Sequence, residues 1–470
     1  MTGENADGAR AERMSSLRAA AEAQALARHR PGDLASLWLL FELRREAAPE
    51  PLPPPGLDAV VAELDRRQAT RREAEQPAAD AFREAVDLYW GHGVAKDVAR
   101  AFALLESAAG AGNADAARFL ALAYDRQESG VPMNREMAMR WYEEAARLGD
   151  AHGCFVVGVT LLEAEAPEGE TPEGQRRGLE LVERAAALGF PHACGYLGTR
   201  LAREMAGWNG FVEEEAAPLL RLGAVRGDHD AAWTLARLLE EMGGRERLRE
   251  AAWWHLVAAR SDFRSARALG LAYGQGRGVE RSNEVGAAWL ARAAEEGSPE
   301  AAAQLAGFFL HGFGVPRDPL LAARLAGRAA DEGIGLGARI LGEIHTDGLG
   351  VPRDDELAAA WYRRGAELGD AFSMSCFASS LFDGRGVDPD PAASVEWLRK
   401  ATAEGPDGRH LLEVMLFRGE GTAPDPEEAR RLFALAAACL SHALAEAGDV
   451  EGEREWLERA ARLKEEVTPC

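Results

Sequence analysis

The chain has 470 residues, 47% of them hydrophobic and 28% charged, so it can bury apolar surface and is not of a disordered composition. Its formal net charge of −23 argues against a nucleic-acid partner and against an anionic membrane surface, since both would repel it. No apolar run reaches the roughly 18 residues that a spanning helix needs.

Lysine occurs only at Lys96, Lys400 and Lys464, and the arginine bias, with abundant Ala and Gly, reads as a GC-rich, bacterial genome. Cys154, Cys194, Cys376, Cys439 and Cys470 are scattered without regular pairing. The N-terminal MTGENADGAR has no basic segment leading into an apolar one, so no signal peptide is visible. The expected location is the reducing cytoplasm.

Residues 1–30 carry only a weak helical stripe of Leu17, Ala20, Ala21 and Ala25 and read as a solvated, partly frayed or disordered segment. Residues 31–78 are stronger. Leu34, Leu37, Trp38 and Phe41 stand at i, i+3, i+4 and i+7, with Asp33 as N-cap. PEPLPPPG at 49–56 cannot be helical, and LDAVVAELDRR follows as a second helix. This pair reads as a divergent helical cap with a Pro-rich linker; the rival reading is a separate partner-binding helix pair.

From 79 to 439 the chain repeats a helix–turn–helix unit. The glycine pairs Gly276/Gly278, Gly312/Gly314, Gly348/Gly350 and Gly384/Gly386 recur every 36 residues, a period that signals a solenoid. Within one unit, Ala266, Leu269, Gly270 and Tyr273 form one face of a first helix. Gly276 and Gly278 end it at positive φ. Asp318, Asp354 and Asp390 stand where the second helix needs an N-cap, and Pro319, Pro391 and Pro426 follow an aspartate at the first helical position.

Each second helix has one large apolar slot: Leu104, Trp141, Leu181, Leu219, Trp254, Trp289, Leu325, Trp361, Trp397 and Phe433. Helical periodicity predicts that the tryptophans there are core. An acidic, Pro/Gly-rich loop at 163–175 accounts for the extra length before Leu181. Units within 151–262 lack the glycine corner and carry Gly207-Trp208-Asn209-Gly210 and Gly243-Gly244 instead, which predicts a specialised surface there. Residues 440–470, with Trp456, read as a truncated capping unit with a charged outer face.

The pattern A-x-x-L-G-x-x-Y-x-x-G-x-G-V, then W-Y-x-x-A-A-x-x-G, resembles the Sel-one-like repeat (SLR) family, relatives of the tetratricopeptide repeats. Trp141-Tyr142-Glu143-Glu144-Ala145-Ala146 and Trp361-Tyr362 with Ala366 carry it most closely. The resemblance implies an all-α, right-handed α-α superhelical solenoid of about ten units of 35–40 residues. It also implies that a stripe beside the core slots of the first helices lines a concave groove. Arg118, Asp125, His152, Phe155, His192, Trp233, Arg237, Arg339, Glu343 and Phe372 fall on that stripe. Some secreted relatives carry a disulfide in each repeat, which this sequence lacks.

The expected function is a non-catalytic scaffold or adaptor that binds a protein or peptide along the groove, with no cofactor. Trp233 stands outside the core slots of Ala232, Leu235, Ala236 and Leu239; it either anchors a partner or folds back on a neighbouring unit. An alternative is a regulatory protein whose region 1–78 binds an effector. A third is an enzyme or metal protein using His152-x-Cys154 and His192-x-Cys194, which share a phase and could offer four ligands to zinc. Against it, Cys154 and Cys194 fall in the small, buried slot of Ala266. No Ser-His-Asp, H-E-x-x-H or phosphate-loop signature stands out.

Overall fold

The computed structural model describes residues 37–47, 78–126, 132–163, 172–204, 216–405, 408–425 and 427–428, with a few isolated positions. Among them are twenty helices and no strand. The expected segments 1–30 and 440–470, with Asp33, Leu34, Trp208 and Phe433, lie outside the described residues.

The chain forms two compact units. One comprises Glu50–Ser265 and Arg277–Glu280, the other Met1–Pro49, Ala266–Gly276 and Arg281–Cys470. Helix α1 (Trp38–Ala47) belongs to the second. The first holds α2 (Ala79–Trp90), α3 (Val98–Gly110), α4 (Ala114–Asp125), α5 (Arg135–Arg147) and α6 (Ala151–Glu163). It continues with α7 (Pro172–Ala187), α8 (Pro191–Glu204), α9 (Ala217–Val225), α10 (His229–Met242) and α11 (Arg245–Ala258). Helix α12 (Phe263–Gln275) begins at its end. The second unit continues with α13 (Asn283–Glu295), α14 (Pro299–His311), α15 (Pro319–Asp331) and α16 (Gly335–Asp347). It closes with α17 (Asp355–Glu367), α18 (Ala371–Asp383), α19 (Pro391–Glu404) and α20 (Arg409–Arg418).

From α2 to α11 and from α13 to α20 each helix packs on the next in sequence, as in an α-α solenoid. First helices also touch first helices of the next repeat: α8 meets α10, α14 meets α16, and α16 meets α18.

The local reasons are those of the sequence. Asp97, Asp318, Asp354 and Asp390 each accept a hydrogen bond from the backbone N–H three residues on, at about 3.0 Å in the case of Asp318. These caps satisfy donors that a helix start otherwise leaves orphaned. Gly276 and Gly278 both have φ of 73°, a left-handed turn that a Cβ disfavours. Ala266, Leu269, Gly270 and Tyr273 are buried as the periodicity predicts. Gly270 is needed for close approach, because a Cβ there would lie 2.9 Å from Leu290 Cγ and 3.0 Å from the Gly286 carbonyl.

Three details differ from expectation. Trp254 and Trp289 are core, but Trp141, Trp361 and Trp397 are only half-buried. At 361–362 it is Tyr362 that turns inward, while Trp361 lies on the flank beneath the Arg364 guanidinium. The loop at 163–175 is shorter than expected, since Glu163 ends α6 and Pro172 starts α7. Helix α1, read as part of a cap ahead of the repeats, packs against α13.

Candidate functional site

Helix α10 is set by Asp228, whose carboxylate accepts from the Ala231 N–H at 3.0 Å. Ala232, Leu235, Ala236 and Leu239 then all point into the core at zero exposure. The remaining flank presents Trp233, Thr234, Arg237 and Glu241 to an open cavity of about 1120 Å³. Helix α8 contributes His192, Tyr196, Arg200 and Arg203; α6 contributes Phe155 and the start of α12 contributes Arg264.

Trp233 is half-buried, with different partners for its ring. Arg264 lies over it, Cζ at 5.4 Å from the centroid, and His255 sits 5.4 Å away, centroid to centroid. Arg264 is itself held by Asp262 (Nε to Oδ1, 2.8 Å) and Asp230 (Nη2 to Oδ1, 2.7 Å). His255 is fully buried, and its Nε2 stands 3.6 Å from Glu240 Oε2, too long for a hydrogen bond. Burial pushes the Glu240 carboxyl up, but His255, Arg277 and Arg237 outweigh it and hold the group below its ordinary range.

Beside the cavity runs a chain of aromatic contacts. Tyr142 meets His152 edge-on at 5.6 Å, and His152 stacks on Phe190 at 5.3 Å. Phe190 contacts Phe155 at 5.3 Å and His192 at 5.6 Å, and Phe155 contacts Tyr196 at 6.2 Å. Burial lowers the His152 pKa, so at neutral pH this imidazole serves as a neutral ring. Phe190 and Tyr196 were not among the expected residues. Phe190 stands just before α8, outside any helical slot, at a junction position filled elsewhere by Asn113, Asp150, Asp228, Asp262, Ser298, Ile334 and Asp370, so only its aromatic ring hinted at a role.

The ten expected residues fall into three places. Phe155, His192, Trp233 and Arg237 line one cavity. Arg118, Asp125 and His152 lie earlier in the same unit: Arg118 pairs with Asp115 at 2.7 Å and Asp150 at 3.7 Å, and Asp125 accepts from the Tyr142 hydroxyl at 3.4 Å. Arg339, Glu343 and Phe372 form a cluster in the other unit. The Arg339 guanidinium is 5.1 Å from the Phe372 centroid and its Nε is 3.6 Å from Glu343 Oε1. Burial pushes the Glu343 carboxyl above its ordinary range.

The four proposed zinc ligands do not converge. Cys154 Sγ donates to the Ala146 carbonyl at 3.7 Å and Cys194 Sγ to the Ala186 carbonyl at 3.8 Å, each reaching back to the preceding second helix. Their histidines meet Phe190 instead, His152 stacked on the ring and His192 edge-on to it. Among the described residues no group of three or more His, Cys, Asp or Glu is placed to hold a metal ion. Among them, too, no helix is long and apolar enough to cross a membrane.

The chain is similar in fold to solved structures. The chain is 21% identical to c5321, a protective antigen of uropathogenic Escherichia coli with an SLR fold. That match covers 85% of this chain and 93% of the other, with a TM-score of 0.56. A Sel1 repeat protein from Oxalobacter formigenes is 26% identical over 68% of this chain and 90% of its own, with a TM-score of 0.50. No curated protein sequence matches the chain. The Sel1 repeat family model matches residues 88–113, 114–150, 157–190, 264–298, 299–334, 336–370, 373–406, 414–439 and 454–464. Its matches leave out 191–263, the stretch that supplies most of the cavity. The sequence and the fold therefore agree, and the chain belongs to the Sel1 repeat family.

Proposed function

We propose that this protein is a non-catalytic scaffold that holds a segment of a partner protein along the first helices of its repeats. Its central contact is the cavity around Trp233. The observation that carries this reading is the company Trp233 keeps. A half-buried indole, Phe155 and Tyr196 share one open cavity with Arg200, Arg203, Arg237 and Arg264. A partly exposed Trp surrounded by arginines is the usual composition of a binding anchor.

Two further facts support it. The cavity lies where the family pattern is weakest, yet the core slots of α10 remain apolar and fully buried. Divergence there falls on surface and not on fold, as a partner-specific contact requires. An open cavity lined by aromatic rings and by four arginines set against Asp228, Asp230 and Glu241 suits a segment that carries an apolar anchor beside polar or charged groups. The buried thiols of Cys154 and Cys194, engaged by backbone carbonyls, fit a reducing compartment.

The test uses the full chain as bait in an extract of its own cells, comparing the natural protein with Trp233→Ala and with a deletion of 1–78. The groove reading requires that a co-purifying protein be lost with Trp233→Ala and kept after the deletion. Retention with Trp233→Ala and loss on deletion would favour the N-terminal region as the binding element.

A further inference from the structure

Helix α1 sits against α13, with eleven helices between them in the chain. It therefore does not stack as the next repeat would. Its buried side is a helical stripe: Leu37, Leu40 and Phe41, at i, i+3 and i+4, have no exposure, and Arg44 and Arg45 continue the stripe at i+7 and i+8.

The repeats supply an internal comparison. Trp289, Trp361 and Trp397 share one slot, and each has a basic residue three positions on over its ring: Arg292 at 5.9 Å, Arg364 at 5.6 Å and Lys400 at 4.4 Å. Among the described residues only Trp289 has a second cation over it from another helix, Arg45 of α1 at 5.7 Å. Trp289 is 6% exposed, whereas Trp361 and Trp397 are half-buried. Arg44 Nη1 donates to the carbonyl of Gly314, in the corner after α14. Gly314 has φ of 65°, and a Cβ there would lie 2.4 Å from the Asn283 carbonyl carbon, so the corner rests directly on the start of α13. Ring face and corner carbonyl together offer one apolar and one accepting subsite side by side.

We propose that α13 and the Gly312–Gly314 corner form a docking surface for an amphipathic helix, and that α1 is its resident occupant. The ligand class is a helix with apolar residues at i, i+3 and i+4 and two basic residues at i+7 and i+8. A ten-residue helix is too short to persist alone in water, so the surface holds α1 in its helical form. Trp289 Nε1 is buried without an acceptor, as is Trp141 Nε1 at the same slot of an earlier repeat. Burial raises the pKa of the nearby Glu295 as well, with Arg45 opposing. This reading does not depend on the Trp233 cavity.

The test titrates a fluorescein-labelled peptide of residues 34–48 into the full chain, either natural or carrying Phe41→Asp, which should release α1. The released variant is expected to bind the peptide at least tenfold more tightly than the natural protein, where α1 competes. The same peptide carrying Phe41→Asp should not bind, and Trp289→Phe in the released variant should weaken the natural peptide severalfold. Hydrogen exchange over 283–296 should quicken in the released variant and slow again when peptide is added, with helix content lower by no more than the 10 residues of α1. Equal peptide affinity in the two proteins, or exchange over 283–296 indifferent to Phe41→Asp, would overturn the proposal.

Discussion

The guanidinium of Arg264 covers the indole of Trp233 while Asp262 and Asp230 hold that guanidinium from two other sides. On the proposed reading, this arrangement orders the ring ahead of a partner. A side chain ordered in advance would lose little conformational freedom on binding, one of the costs of association.

Trp233→Ala is accordingly expected to weaken partner binding by about 2 kcal/mol, roughly thirtyfold in affinity, with helix content unchanged. Titration calorimetry against the identified partner checks it. Glu343→Gln, in the other unit, should have a smaller effect that fades as salt rises. Unfolding of the α10–α11 repeat by Trp233→Ala would mark the indole as core instead.

Tyr362 and Trp361 are adjacent yet play different parts. Tyr362 is 7% exposed and its hydroxyl lies 3.3 Å from Thr346 Oγ1, whereas Trp361 lies on the flank. Tyr362→Ala should cost about 3–5 kcal/mol, and Trp361→Ala no more than about 2 kcal/mol. Because repeats contact their neighbours, the loosening should appear first around 335–406. Hydrogen exchange would refute this if loosening spread evenly along the chain, or if Trp361→Ala proved the worse of the two.

Gly270 and Gly286 let α12 and α13 cross closely: a Cβ on Gly286 would lie 2.8 Å from the Gly270 carbonyl. Gly270→Ala should therefore destabilise by about 1–3 kcal/mol through overpacking. Gly327 in α15 has nothing within 4 Å of a Cβ and no positive φ. Gly327→Ala should be neutral or stabilise by up to about 1 kcal/mol from helix propensity. Urea melts of the two variants give opposite signs if the crossing is as tight as described.

Burial, the Asp125 carboxylate and a hydrogen bond to it push the Tyr142 hydroxyl up to about 12. A phenol whose pKa is raised on folding contributes stability that is complete below the unfolded value of about 10 and is lost as pH climbs to about 12. The loss attributable to Tyr142 is at most about 3 kcal/mol. Tyr142→Phe should lose less stability over that window than the natural protein. Denaturant melts on either side of it decide the matter, and equal losses would mean that Tyr142 titrates normally.

Much of this was legible in the sequence because it is local. Asp318 caps α15 through a backbone N–H three residues away, and Gly276 and Gly278 turn the chain through their own φ. Ala266, Leu269, Gly270 and Tyr273 face inward by helical period alone. Of the expected site, Phe155, His192, Trp233 and Arg237 do share a cavity, because equivalent positions of stacked repeats fall on one side. Phe190 escaped notice since it precedes a helix and has no periodic signal.

By itself the sequence determined the repeat, its corners, its caps and its core slots, since each follows from interactions within a few residues. Only the tertiary structure decided the rest. It placed Arg264 on Trp233, turned Cys154 and Cys194 to carbonyls of the preceding helices, set Trp361 on a flank, and seated α1 on α13. Those choices depend on which side chains meet between helices that are neighbours in space, and no local period encodes that.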